Sequence, residues 1–178
     1  ALYLRITFGF RYDIKGYRSL NGYNMSYGSS PRRTSELIQH AASMFEWIYL
    51  KGKVKAGVAL LTKQSRTIPF LSDNEVDMSQ VIVEHIGLQP IRVENIIGTL
   101  GRMNYDKDFY PLQRRDKKRW MSVAMAMMSD VTSLAPISVI QIGDVYYTSD
   151  GNHRVSVART LNKLFIDANV THWTIPTA

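Results

Sequence analysis

From Pro31 onward, apolar residues recur at helical spacing: Leu37, Ile38, Ala41, Phe45 and Ile48. Steps of three and four place them on one face of a helix. Ser30-Pro31 supplies a cap and a first turn. Gly52 interrupts the pattern and a second helical stretch is predicted over 54–63, so the two together predict a helical hairpin. Residues 64–90 are crowded with turn formers (Pro69, Ser72, Asp73, Asn74, Asp77, Ser79, Pro90) and read as a linker or long loop. A strand is predicted at 91–93, followed by a loop with Gly98, Gly101 and Asn104. Trp120, Val123, Ala124, Met127 and Met128 share one helical face, which predicts a helix over about 114–129 with its methionines in the core.

Beyond Pro136 the run Ile137-Ser138-Val139-Ile140-Gln141-Ile142 predicts a strand. Gly143-Asp144 has two-residue hairpin chemistry, and Val145-Tyr146-Tyr147-Thr148 returns as its partner. Asp150-Gly151-Asn152 then turns the chain into a helix bearing Val155, Ala158 and Leu161. Ile166, Ala168 and Val170 alternate with Asp167 and Asn169 in a last strand. Residues 1–30 are Gly- and Ser-rich and read as irregular, with a short strand at 2–8.

The chain has 178 residues, of which 45% are hydrophobic, enough for one folded domain with an extension. It has no Cys, which excludes disulfides, thiolate metal sites and cysteine catalysis. No apolar run approaches the roughly 18–20 residues that span a bilayer. Arg5, Arg11, Asp13 and Lys15 break any signal-peptide pattern at the amino end. The expectation is a cytoplasmic protein with no membrane partner. The net charge of +7 is concentrated in two blocks. Residues 1–35 carry six bases against one acid, interleaved with Phe8, Phe10, Tyr12, Tyr17, Tyr23 and Tyr27. Residues 92–120 carry eight bases against four acids, with Arg114, Arg115, Lys117 and Lys118 opening a helix. Bases with stacking rings suit a nucleic-acid backbone. A solvated helix face also accounts for the second block.

The segment richest in chemistry is Asp150-Gly151-Asn152-His153-Arg154. It leaves a strand, turns through glycine and enters a helix. The first amides of a helix lack intrahelical partners and carry partial positive charge, so such an end binds phosphate or carboxylate. Arg154 can clamp an oxyanion in bidentate fashion, and His153 adds a donor that titrates near neutrality. Asn152 can cap the helix or meet the ligand. Asp150 beside an anion is costly unless it holds Mg²⁺ or a ligand hydroxyl. The same residues also make a strand-to-helix turn with an Asx-type cap and no ligand. Asp106 and Asp108, flanking Lys107, could supply a general base or metal ligands if their loop folds over this turn. His40, His85 and His172 are isolated and lack zinc spacing.

Pro136-Ile137-Ser138-Val139, the hairpin, Asp150-Gly151-Asn152-His153-Arg154, the Ala158 helix and Ile166-Asp167-Ala168-Asn169-Val170 together resemble the ParB/sulfiredoxin superfamily. More narrowly, they are similar to ParB-like proteins that read Asp-Gly-x-His-Arg-Val-Ser-Val-Ala. Val93-Glu94-Asn95-Ile96-Ile97-Gly98 through Arg102 resembles that family's opening strand and Arg-bearing loop. The resemblance covers about 91–172. It implies a small α+β fold, with a mixed sheet and flanking helices, whose motif helix faces nucleotide phosphates. ParB proteins bind and hydrolyse CTP through Gly-Glu-Arg-Arg, where this chain has Asn152 and His153 at the second and third places. Sulfiredoxin uses Gly-Cys-His-Arg, and with Asn152 in place of Cys its chemistry is excluded. Small-molecule kinases form a third branch, and some relatives bear the name of nucleases.

The resulting expectation is an α+β ParB/sulfiredoxin-like domain over 91–178, preceded over 1–90 by a basic aromatic arm and a helical hairpin. Arg102, Gly151, Asn152, His153 and Arg154 would bind the phosphates of CTP, ATP or ADP with Mg²⁺. Asp150 and Asp106 would be the catalytic carboxylates, Asp150 also the metal ligand. The leading function is a nucleotide- or phosphate-binding domain of a DNA-associated protein, or of one regulating transcription. The alternatives are an ATP- or ADP-dependent phosphotransferase and a nucleic-acid-binding module. A homodimer is compatible with either.

Overall fold

The computed structural model describes residues 31–69, 80–101, 103–129 and 134–175. The basic arm, the strand expected at 2–8 and Arg102 lie outside the described residues. Among the described residues there are three α-helices and one five-stranded sheet, the α+β class expected. No helix among them is long and apolar enough to cross a membrane.

The helices are α1 (Pro31–Thr62), α2 (Lys117–Met128) and α3 (Asn152–Thr160). The strands are β1 (Ile82–Arg92), β2 (Ile96–Thr99), β3 (Ile137–Ile142), β4 (Val145–Asp150) and β5 (Phe165–Thr174). The sheet order is β1-β5-β3-β4-β2. β1/β5 and β3/β4 are antiparallel, whereas β3/β5 and β2/β4 are parallel. The β3–β4 hairpin closes through Gly143 at φ +58°, as its Gly-Asp turn predicts. α3 carries the chain from β4 over to β5, where it lies parallel to β3.

Trp120 is fully buried between α1 and α3. Its indole N–H donates to Ser156 Oγ on α3 (2.9 Å), and its ring meets Phe45 of α1 edge-on. Ile96, Ile137, Val139, Val155, Val157, Ala168 and Val170 complete the core from the sheet and α3. A buried aromatic that finds a partner for its N–H brings large apolar area without an unsatisfied donor.

Three expectations are corrected. The helical hairpin is one continuous helix, α1. Ala41, Phe45, Ile48, Gly52 and Ala59 all lie on its buried face, so the core-facing stripe runs straight through the glycine. A mid-helix glycine costs only about 1 kcal/mol, and at Gly52 it is needed for space: a Cβ there would sit 2.8 Å from Tyr110 Cβ. The presumed linker 64–90 ends in strand β1, which spans residue 90, so the boundary expected there falls inside a strand. β1 is mostly exposed on both faces and therefore shows no alternation. Among the described residues it is also an edge strand, paired with β5 alone, and an edge tolerates Pro90. The strand expected at 91–93 is the end of β1 and a 3₁₀ turn (Val93–Asn95), and the expected loop begins with β2.

The loop after β2 is fixed by charge. Asp106 Oδ1 accepts the amides of Asp108 (3.0 Å) and Tyr110 (2.9 Å). Its Oδ2 accepts Arg66 at 2.6 Å. Arg66 also reaches Asp108 at 2.8 Å, and Lys55 of α1 pairs with the same Asp108 oxygen at 2.9 Å. Partial burial opposes ionisation of Asp108, but the hydrogen bonds and charges of Arg66 and Lys55 outweigh it and hold the carboxyl down at about 2. Burial likewise works against the charged form of Arg66, and the two aspartates overcome it and raise its pKa.

Gly52→Leu should destabilise the fold by about 1–3 kcal/mol through overpacking against Tyr110. Gly57→Ala, with open space around it, should add about 0.4–1 kcal/mol; urea midpoints compare them. The Asp108 carboxyl titrates below its ordinary 3.8 in the folded chain. Its contribution is therefore complete above that value and disappears as pH falls toward 2. Wild type should lose melting temperature more steeply than Asp108→Asn on acidification through that window. Parallel curves would remove the ion pairs from the account.

Candidate functional site

β4 ends at Asp150 and α3 begins at Asn152, with Gly151 between them at φ +113°. Residues with a side chain rarely adopt that angle. A Cβ here would also lie 2.5 Å from Ile137 Cγ2 on β3. Only glycine fits both demands, and the turn delivers the helix N-terminus beside the ends of β2 and β4. The first intrahelical bond is Val155 N–H to the Gly151 carbonyl (3.0 Å). The amides ahead of it emerge from the positive end of α3.

Asn152 is anchored on both sides. Its Oδ1 accepts the Thr148 hydroxyl of β4, and its Nδ2 donates to Thr99 Oγ1 of β2 (3.3 Å). Thr99 in turn donates to the Thr148 carbonyl (3.1 Å) and accepts the Gly101 amide (3.0 Å). Both threonines are fully buried. His153 Nδ1 lies 2.6 Å from the hydroxyl of Tyr105, with the two rings edge to face. Burial, reinforced by the charge of Asp116, pushes the Tyr105 phenol well above its ordinary value. It stays protonated, and it donates to Nδ1 or accepts from it according to which ring nitrogen of His153 carries the proton.

Arg154 is largely committed to the fold. Its guanidinium donates to the carbonyls of Ala135 and Pro136, just before β3, and pairs with Asp150. Only 15% of its side chain is exposed, against 68% for Asp150. The expected bidentate clamp is thus in large part a brace between α3 and the start of β3.

The turn therefore gathers Asp150, Gly151, Asn152, His153 and Arg154 as expected. It adds Tyr105, Thr99 and Thr148, none of which the sequence singled out. Their only signal would have been position: two threonines at the ends of neighbouring strands, and a tyrosine in the loop after β2. Asp106 is next to Tyr105 in sequence, but its carboxylate oxygens serve Arg66 and its own loop. Among the described residues no group of three or more His, Asp or Glu is placed to hold a metal ion.

The second basic block lies elsewhere. Arg114 and Lys117 both pair with Glu46 of α1, at 2.9 and 2.8 Å. The Lys117 hydrogen bond is the main cause of the lowered Glu46 pKa. Arg115 and Lys118 rim an open groove of about 530 Å³ between α1 and α2, floored by Ile38, Met121 and Met125. The four bases are a helix face partly neutralised by α1.

No protein-family model matches the chain, and no curated protein does. Among solved structures, a sulfiredoxin from Arabidopsis thaliana matches with 19% sequence identity and a TM-score of 0.36. The match covers 47% of this chain and 82% of that one. It is a likeness of fold alone, and the α+β class of this chain stands on its own five-stranded mixed sheet and flanking helices.

Proposed function

We propose that the 150–154 turn binds the phosphate of a nucleotide, and that the chain is a nucleotide-binding, ParB-like domain of a DNA-associated or regulatory protein. One observation carries the reading. A histidine ring is held by a hydrogen bond to a buried phenol, at the N-terminus of a helix reached through a left-handed glycine. A structural turn needs a cap, but it does not need its second residue held by a phenol from a distant loop. Oriented backbone amides beside an imidazole held in place suit an oxyanion, because groups already fixed lose little entropy on binding. Asp150, exposed beside Arg154, suits a ligand hydroxyl or a magnesium ion carried in by the nucleotide.

Thermal melting with CTP, ATP, ADP and GTP, each with Mg²⁺, tests the reading. A nucleotide at about 100 times its Kd stabilises the fold by roughly 2.7 kcal/mol. One member of the panel should raise the melting temperature of wild type. The paired variant His153→Ala/Tyr105→Phe, which leaves no buried phenol without a partner, should lose that shift. Arg154→Ala is the poorer probe, because it also releases the brace on Ala135 and Pro136. No shift with any nucleotide at millimolar concentration would sink the proposal. Release of ADP or phosphate from the nucleotide that shifts would mark a phosphotransferase or hydrolase rather than a binding domain.

A further inference from the structure

α1 is apolar on two faces. One face, through Ala41, Phe45, Ile48 and Ala59, is buried against its own domain. On the opposite side stand Trp47, Leu50, Val54, Val58 and Leu61, which are 56%, 63%, 59%, 55% and 85% exposed. At 100° per residue these five fall within a stripe about 80° wide and about 21 Å long. A helix that needs one dry face has one apolar stripe, and a second stripe signals a second cover.

We infer that this face is the seam of an antiparallel homodimer, with α1 of one copy laid against α1 of another about a two-fold axis at Val54. The spacing of the stripe is its own mirror image. Trp47 and Leu61 lie seven residues to either side of Val54, and Leu50 and Val58 lie four to either side. Reversing the helix about Val54 therefore sets Trp47 on the partner's Leu61, Leu50 on the partner's Val58 and Val54 on itself. Self-complementarity of this kind is the defining property of a two-fold interface. Area agrees: five side chains so exposed leave on the order of 600 Å² of apolar surface per copy, about 1,200 Å² in a pair, the lower bound for specific interfaces. Lys51 sits at the rim with its ammonium over the Trp47 ring (4.6 Å), so its charge is carried at the edge of the seam.

Sedimentation equilibrium of the full chain at micromolar concentrations reads the outcome. The mass of wild type should double with rising concentration. Val54→Lys should stay at the monomer mass with an unchanged circular dichroism spectrum. Leu60→Lys, exposed but off the seam, should still dimerise. The chain has no cysteine of its own, so Val54→Cys should oxidise to a linked dimer. Mixed Trp47→Cys and Leu61→Cys chains should link to each other in preference to themselves. Self-linking of Trp47→Cys would make the seam parallel and overturn the proposal, as would a dimer indifferent to Val54→Lys. A chain monomeric throughout would also overturn it. Slow maleimide labelling of the Val54→Cys chain would then assign the cover to residues 1–30, and fast labelling would assign the face to a different protein.

Discussion

Thr99 and Thr148 are buried and meet the half-buried Asn152, and their hydrogen bonds leave little freedom in where three elements can go. β2 and β4 lie parallel, and nothing in a short parallel pair fixes where the following helix should start. The Asn152 amide does so by answering one hydroxyl from each strand. Each buried polar group left without a partner would cost roughly 1–3 kcal/mol, and here the two threonines also bond the backbone of β2, β4 and Gly101, so every link ties one element to another. The α3 N-terminus is held in place by this set, and with it His153, Arg154 and the brace to the start of β3.

Local chemistry was legible where contacts are local. The β3–β4 hairpin follows from a Gly-Asp turn between alternating strands, and α2 and α3 from their apolar periods. The strand-to-helix turn at Gly151 was also readable, because φ +113° is a demand one residue makes on itself. What stayed hidden was decided by partners far away in sequence. Gly52 looked like a break because the reason for it, Tyr110, is 58 residues on. β1 showed no alternation because an exposed edge strand has no dry face to mark. Arg154 looked like a ligand clamp, and only the tertiary structure shows the carbonyls of Ala135 and Pro136 taking its donors. Tyr105 was marked only by its place in the loop after β2, although its hydroxyl holds the His153 ring.

Charge was legible in amount and not in use. The sequence showed where the bases lie, but their pairing depends on α1. Glu46 takes two cations of the second block, and Lys55 and Arg66 are spent on the loop that carries Asp106 and Asp108. The long first helix thus does three things: it covers Trp120, neutralises α2 and anchors the loop that presents Tyr105 to His153.

The order of strands also governs how the chain can find its fold. β3 and β4 are joined by two residues and pair through a local turn. The remaining pairings, such as Val139 with Val170, Thr99 with Thr148 and Ile91 with Ile166, join segments far apart in the chain. Closing long loops is paid in entropy before any contact rewards it. The hairpin is therefore the natural nucleus, and β2 and β1 must arrive from the amino side to complete the two flanks. The Asp150–Arg154 turn belongs to that nucleus, while Thr99 and Tyr105 arrive with the later segments. A folding chain consequently owns the helix N-terminus early and acquires the groups that fix Asn152 and His153 only on completion.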